Sequence, residues 1–152
     1  MNISELIDLP LIQLKLKAKS KDQVIRELCE ILKSEDRISD LDLFIDDVNE
    51  REALGSTGIG FKIAIPHTKS KYVTKPSLVF GRTEKGIEFE SSDNEPAKLF
   101  FLIAMPEEGS NAHLKVLALL SRNLIHEEFR DQLLEAKTAK EALEILHTID
   151  KA

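Results

Sequence analysis

The chain has 152 residues, of which 42% are hydrophobic and 32% are charged, proportions typical of a folded water-soluble protein that exclude a disordered or fibrous one. This length suits one compact domain with its own core, so we expect a single domain over residues 1–152. Lys and Arg number 21 against 27 Asp and Glu, a net charge of −6, which disfavours nucleic acid as a partner.

The cysteine content and the N-terminal segment bear on the cellular compartment. Cys29 is the only cysteine, so no disulfide can form within the chain, and the apolar pattern VIRELCEIL around it predicts a buried thiol. The segment MNISELIDLPLIQLKLKAKS lacks the basic region, long apolar stretch and cleavage site of a secretory signal. No later run is long enough to span a bilayer. We therefore expect a cytoplasmic protein that is not inserted in a membrane.

The first third of the chain predicts one strand and two helices. Apolar residues alternate with Gln and Lys over residues 11–17, which indicates a short strand. Apolar residues then recur at helical spacing from 21 to 33, after the potential cap residue Ser20, and this helix should pack one face on a sheet. A second helix is predicted from the cap residue Asp40 to about Leu54.

The middle of the chain predicts a loop and three strands. The sequence GSTGIG at residues 55–60 interrupts any helix and predicts a loop, and residues 63–65 predict a strand that ends in a turn at Pro66. Residues 77–83 and 97–105 are rich in β-forming side chains. The run LFFLIA in the last of these segments is apolar on both faces, which is typical of a central strand covered by helices on both sides.

The last third of the chain predicts three helices, over residues 112–124, 126–136 and 139–149. No internal repeat or linker interrupts the order of the elements. This order indicates an α/β layered domain with helices on both faces of its sheet. The order of the strands within the sheet does not follow from the sequence.

Two of the four histidines have positions suited to chemistry. His67 follows a strand and a proline just after the glycine-rich segment, which places it at a strand end, where α/β proteins commonly bind ligands. His113 falls in the first turn of a predicted helix, where free N–H groups and the helix dipole favour a bound anion. His126 and His147 lie in helical segments among charged or amphipathic neighbours and receive less weight.

Histidine at such a position suits reversible phosphoryl transfer. A neutral imidazole can attack phosphorus through nitrogen near physiological pH and form a covalent intermediate. The protein must then stabilise the charge on the transferring oxygens. We expect Arg51 to offer its guanidinium for this purpose, with Ser56, Thr57 and the backbone of residues 55–60 as neutral donors.

Each of these features also has a purely structural interpretation. GSTGIG lacks the Lys and the following Ser or Thr of a Walker loop and is more often a flexible turn. An arginine such as Arg51 is usually a solvated helix residue, and a single histidine after a proline is more often structural than catalytic. Metal binding is disfavoured because His67 and His113 lack ligand spacing, carboxylate partners at fixed offsets or a cysteine cluster. From the pattern alone, both interpretations stay open.

Two longer segments resemble a known family. REALGSTGIGFKIAIPHTKS resembles the signature of the fructose/mannitol class (type 2) of enzyme IIA domains of the bacterial phosphotransferase system (PTS). HLKVLALLSRNL resembles the helix of the same family that begins with the other active-site histidine. The intervening residues resemble its fructose subgroup, so the resemblance covers essentially the whole chain. It implies a single-domain layered sandwich, a mixed β-sheet with helices on both faces.

The resemblance also implies roles and partners. It implies that His67 takes the phosphoryl group, that His113 lies beside it and that Arg51 helps to hold the phosphate. The donor would be the phosphohistidine of HPr and the acceptor a IIB domain, and a membrane IIC component would be involved indirectly. The IIB and IIC partners would be separate proteins. No nucleotide, metal or other cofactor is implied. Thr68 departs from the family pattern, in which Gly or Ala often follows the histidine, although its hydroxyl could also bond phosphate.

Two other functions fit the same residues. A regulatory IIA paralogue of the nitrogen-related type would keep the histidine and use its phosphorylation state to control other proteins. A non-catalytic interaction module would use His67 structurally and recruit a partner through the acidic surface. In the carrier interpretation, Ile59 and Phe61 are candidates for partner recognition, although core packing is the alternative for both.

Overall fold

The computed structural model of the chain describes residues 2–108 and 111–151. The described helices are α1 (Lys21–Ser34), α2 (Leu41–Ala53), α3 (Ala112–Leu124), α4 (Glu127–Glu135) and α5 (Ala139–His147). The strands are β1 (Ile12–Gln13), β2 (Gly58–Gly60), β3 (Ile63–Ala64), β4 (His67–Ser70), β5 (Ser77–Ile87) and β6 (Ala97–Pro106). All five predicted helices are present, and their bounds differ from the predictions by no more than about two residues, the usual uncertainty of a helix end.

The six strands form one mixed sheet with β6 at its centre. The order is β1-β5-β6-β3-β2, and β4 also pairs with β6. Strand β6 runs antiparallel to β5 and parallel to β3 and β4. Its residues Leu99 to Ala104 are fully buried, and Phe101 stacks on Phe80 of β5 with ring centroids 4.9 Å apart. The central strand predicted from LFFLIA is therefore confirmed.

Two neighbouring residues of β5 demonstrate that helices cover both faces of the sheet. A Cβ atom on Gly81 would lie 2.9 Å from the side chain of Leu28 in α1. Arg82 instead donates to the carbonyls of Leu133 and Ala136 at the end of α4, at 2.8 and 2.7 Å. Successive strand residues point to opposite faces, so α1 and α4 lie on opposite sides. The predicted α/β fold, a mixed sheet with helices on both faces, is confirmed.

The strand predicted over residues 11–17 is wrong for most of its length. Only Ile12–Gln13 form a strand paired with β5, and beyond them Leu16 donates a single backbone hydrogen bond to Arg82 at 3.0 Å. Further along, the backbone N–H groups of Lys17 and Ala18 donate to the carboxylate of Glu27 in α1, at 3.0 and 2.9 Å. Since a helix side chain takes these donors, they are not available to a neighbouring strand.

The predictions for the glycine-rich segment and for Pro66 are also corrected. Part of the predicted loop is strand β2, and the residues after Pro66 form strand β4 and not a turn. Gly60, Phe61 and Lys62 have positive φ angles of 90°, 57° and 67° and form the tight connection between β2 and β3. Asn and Gly are the usual residues in such hairpin turns, so Phe-Lys at this place gives no turn signal in the sequence.

Hydrogen bonds join the two ends of the described chain. The backbone N–H groups of Ile3 and Ser4 donate to the carboxylate of Asp150, at 2.7 and 2.9 Å.

Within residues 2–108 and 111–151, no helix combines the length and the apolar content that crossing a bilayer requires.

Candidate active site

His67 is the first residue of β4, and its hydrogen bond fixes which ring nitrogen can react. Nδ1 lies 2.8 Å from the carbonyl oxygen of Ile65. A carbonyl oxygen can only accept, so Nδ1 carries the proton and the neutral ring keeps its free electron pair on Nε2. Nε2 makes no hydrogen bond to any residue that the structure describes. The ring is therefore held in the tautomer whose Nε2 is a nucleophile.

The surroundings of His67 keep its imidazole neutral. Burial lowers the pKa of His67 below its ordinary value of 6.5, and the nearby charge of Arg51 lowers it further. The hydrogen bond to Ile65 and the carboxylate of Glu52 oppose this effect without outweighing it. His67 is only 5% exposed, so its ring lies largely inside the protein. A donor must therefore enter the site to reach it.

His113 is the second residue of α3 and lies beside His67. The two ring centroids are 6.2 Å apart and the ring planes are tilted by 37°. Nδ1 of His113 is buried and has no hydrogen-bond partner among the described residues. Burial lowers the pKa of this half-buried histidine, and so do the charges of His67 and Lys69. A buried nitrogen without a partner, at the first turn of a helix, is suited to a phosphate oxygen.

Arg51 lies in the last turn of α2, within electrostatic range of His67. Its Nη1 donates to the carbonyl oxygen of Gly55 at 2.9 Å, and no carboxylate of a described residue pairs with it. The side chain lines a surface groove together with Leu54, Thr68 and Lys69. The three predicted site residues therefore occupy one region, although no hydrogen bond joins Arg51 to His67 in this state.

The hydroxyl groups predicted as phosphate donors are already engaged. Ser56 donates to the carbonyl oxygen of Phe89, and Thr57 donates to the buried carboxylate of Glu52. Thr68 donates to the carbonyl oxygen of the next residue at 3.1 Å. In this state all three hydroxyls support the fold and none is free for a phosphate.

Two residues near the site were missed by the sequence analysis. Glu52 is 8% exposed, forms an ion pair with Lys21 at 3.0 Å and affects the pKa of His67. Lys69 lies two residues after His67 on β4 and was overlooked because a turn was predicted there. A strand predicted over residues 67–70 would have revealed Lys69, since alternate residues of a strand share a face. In residues 2–108 and 111–151, no three His, Cys, Asp or Glu side chains converge as metal ligands.

The two recognition candidates lie in different environments. Ile59 is partly buried against the core. Phe61 is 53% exposed, but its ring packs on Arg130 of α4 at 4.9 Å. Helix α4 follows the C-terminal end of α3, whereas His113 lies at the N-terminal end of α3. The exposed apolar residues close to the site are instead Leu54 of the groove, 83% exposed, and Leu114, 47% exposed.

A neutral imidazole whose Nε2 has no partner among the described residues, beside a second histidine and the guanidinium of Arg51, is the arrangement that a histidine phosphoryl carrier needs. The family model described as "Phosphoenolpyruvate-dependent sugar phosphotransferase system, EIIA 2" matches residues 5–149. The chain therefore belongs to this family, and the resemblance inferred from the sequence is confirmed.

Two curated relatives carry fructose-specific names. The chain is 39% identical to the "PTS system fructose-specific EIIA component" of Haloferax volcanii, over 95% of the chain and 94% of that protein. It is 40% identical to the "PTS system fructose-specific EIIABC component" of Bacillus subtilis, over 99% of the chain. The match covers only 24% of that longer protein.

Solved structures share the fold. The nitrogen regulatory protein IIA-Ntr from Neisseria meningitidis superposes with a TM-score of 0.88 at 30% identity, over 95% of this chain and 98% of that one. The mannitol enzyme IIA of Escherichia coli, in its complex with phosphorylated enzyme IIB, superposes with a TM-score of 0.80 at 26% identity. That match covers 93% of this chain and 97% of the other.

Proposed function

We propose that this protein is the fructose-type IIA phosphoryl carrier of a PTS, and that His67 takes a phosphoryl group from phospho-HPr and passes it to a IIB component. The observation that carries this proposal is the fixed tautomer of His67. The bond from Nδ1 to Ile65, 2.8 Å long, leaves an unprotonated Nε2 without a competing partner in the described chain.

The transfer step balances without a base. The electron pair on Nε2 of His67 attacks the phosphorus of the donor phosphohistidine, a new N–P bond forms, and the N–P bond of the donor breaks. Since Nε2 carries no proton beforehand, none has to leave, and the proton on Nδ1 stays there, hydrogen-bonded to the carbonyl oxygen of Ile65. In the onward step a nucleophile of the IIB component attacks the phosphorus, and the electron pair returns to Nε2.

The charge that arrives with the phosphoryl group requires stabilisation. Nδ1 of His113 lacks a partner among the described residues, the guanidinium of Arg51 keeps donors beyond its bond to Gly55, and α3 presents its N-terminus beside the two rings. Donors fixed in advance around a developing charge are an effective form of transition-state stabilisation. These observations support our proposal that His67, His113 and Arg51 are the catalytic residues.

The surface around His67 favours protein partners over a free sugar. Leu54 and Leu114 expose apolar side chains next to a ring that is itself almost covered. Exposed apolar residues around a polar centre are typical of protein interfaces. The complex of the mannitol enzyme IIA with IIB in a related structure supports a IIB acceptor. HPr as donor and IIC as an indirect partner complete the proposal.

Sequence identity favours the sugar-uptake role over the regulatory one. The two relatives with fructose-specific names are 39% and 40% identical to the chain, whereas the nitrogen regulatory IIA is 30% identical. We further propose that the protein acts in the cytoplasm, where its partners would meet it. We assign residues 1–152 to one IIA domain, which the bonds from Ile3 and Ser4 to Asp150 support.

Phosphorylation by the relay tests the proposal. The protein is incubated with enzyme I, HPr and phosphoenolpyruvate, and the label should be acid-labile, base-stable and confined to His67. His67→Ala should abolish labelling, whereas His126→Ala, the same change at an exposed histidine, should be labelled like the wild type. Labelling of another residue, or labelling that survives in His67→Ala, would overturn the assignment. Transfer from the labelled protein to a fructose IIB then separates uptake from a regulatory role.

A further inference from the structure

Strand β4 places Lys69 on the same face as His67. The strand pairs regularly with β6, since His67 is aligned with Ile103 and Lys69 with Met105. Alternate strand residues point the same way and lie about 6.6 Å apart. A lysine carries its ammonium group on a flexible four-carbon stem, so it can reach a group attached to the neighbouring imidazole.

Lys69 has no anion of its own within the described chain. It is half-buried, and none of the ion pairs of the described residues includes it. The groove that it lines also holds carboxylates, but Asp47 accepts the hydroxyl of Ser70 at 2.6 Å and neither Glu50 nor Glu107 pairs with Lys69. A partly buried cation without a counter-ion is costly unless an anion completes the site.

We propose that Lys69 binds the phosphoryl group on Nε2 of His67 and stabilises the phosphorylated form of the protein, as a third charged group beside Arg51 and His113. This inference rests on the function proposed above and adds a residue to it. Before transfer, the nearby carboxylate of Glu52 is paired with Lys21 at 3.0 Å, and no charge resides on Nε2 of His67. After transfer, the same place holds a dianionic group, and Lys69 supplies a charge-assisted hydrogen bond to one of its oxygens.

The electrostatics of His113 agree with this placement. Burial makes the largest contribution to lowering the pKa of His113, and the charges of His67 and Lys69 lower it further. The ammonium group of Lys69 therefore lies within electrostatic range of the second histidine. A cation there opposes a proton on His113 and favours a phosphate bound beside it.

A matched pair of charge-removing variants tests the proposal. In Lys69→Gln we expect phosphoryl transfer from phospho-HPr to slow by about tenfold, the size of one charge-assisted hydrogen bond to phosphate. The equilibrium fraction of phosphorylated protein should fall. Lys69→Arg should restore most of the transfer rate and most of the phosphorylated fraction. Lys71→Gln removes the same charge from the same groove, from a lysine that packs on Tyr72, and should behave like the wild type.

Stability separates a phosphate-binding role from a structural one. The unphosphorylated Lys69→Gln protein should be at least as stable as the wild type, since Lys69 has no carboxylate partner among the described residues and the variant removes a partly buried charge. Wild-type transfer rates in Lys69→Gln, or equal slowing in Lys71→Gln, would overturn the inference.

A second measurement is independent of the relay. Inorganic phosphate is titrated into the wild type and into Lys69→Gln, and binding is followed by the NMR signals of the His67 and His113 rings. Phosphate should bind more weakly to Lys69→Gln by a similar factor, and equal affinity for the two proteins contradicts the role of Lys69. If the relay does not label the wild type, the proposed function fails while this titration still decides the role of Lys69.

Discussion

The glycine-rich segment and the histidine site lie close together in the sequence but use their polar groups in opposite ways. In the segment, the hydroxyls of Ser56 and Thr57 both donate to internal acceptors. In the site, Nδ1 of His113 and the ammonium group of Lys69 have no partner among the described residues. Satisfied groups stabilise a fold, whereas prearranged unsatisfied ones await a ligand. The glycine segment is therefore a scaffold and the histidine pair is the reactive region.

Removal of the second histidine should sharpen this comparison most. In His113→Ala we expect transfer from phospho-HPr to slow by about 10- to 100-fold, because one hydrogen bond to a charged phosphate is lost. Stability should change little, since the ring nitrogen removed has no partner among the described residues. Rapid-quench kinetics at saturating donor, combined with urea unfolding, measure the two quantities.

The control for that experiment is another histidine. His126→Ala makes the identical change at an exposed residue just before α4, and its transfer rate should equal that of the wild type. Transfer kinetics in His113→Ala that match this control would remove His113 from the site.

Much of the fold could be predicted because its signals are local. Helical spacing predicted all five described helices, and the two-faced apolar run in β6 predicted a central covered strand. Strand β2 was missed because the turn that joins it to β3 has no turn signal, and strand β4 was missed because its pairing partner is distant in the sequence. Strand β4 follows a proline and has only four residues. Its partner β6 begins at Ala97, 30 residues after His67, the first residue of β4. Short segments of this kind have no periodicity to detect.

The candidate site was predicted in part for the same reason. His67, His113 and Arg51 stood out through chemistry and resemblance, and the structure places them together. The engagement of Ser56 and Thr57 depends on contacts with Phe89 and Glu52, and the burial of His67 depends on how the chain packs around it. Such tertiary contacts have no signature in a single sequence.

A scaffold substitution should change stability and not chemistry. Thr57→Val removes a hydroxyl that donates to buried Glu52, a carboxylate that is 8% exposed. We expect unfolding to require about 1–3 kcal/mol less free energy, because the carboxylate loses a donor. Transfer measured well below the melting temperature should stay within about twofold of the wild type. Urea unfolding and transfer kinetics measure these two effects.

The matched control is Thr74→Val, which removes an exposed hydroxyl that donates to the carbonyl of Asp36 at 2.7 Å. It should cost less stability than Thr57→Val. Slow transfer in a Thr57→Val protein of normal stability would contradict the comparison, because the hydroxyl would then belong to the reactive region.

The smallest expected effect is the pH dependence that burial of His67 gives to folding. The folded-state pKa of His67 lies below its ordinary value of 6.5, so between these two values the unfolded chain binds more protons than the folded protein. Stability is therefore retained above pH 6.5 and lost as the pH falls through this window. In His67→Gln, whose amide does not titrate, this part of the loss should vanish.

Urea unfolding of the wild type and of His67→Gln at about pH 7.5 and about pH 5.5 measures the difference, because every other titrating group is common to the two proteins. The wild type should lose more stability between the two conditions. The loss of unfolding free energy in the wild type cannot exceed the loss in His67→Gln by more than about 1.4 kcal/mol, since only one pH unit of the interval lies below the ordinary pKa of histidine. An equal loss in both proteins would mean that the imidazole takes up its proton as easily when folded as when unfolded, and burial would then not be what keeps Nε2 ready to react.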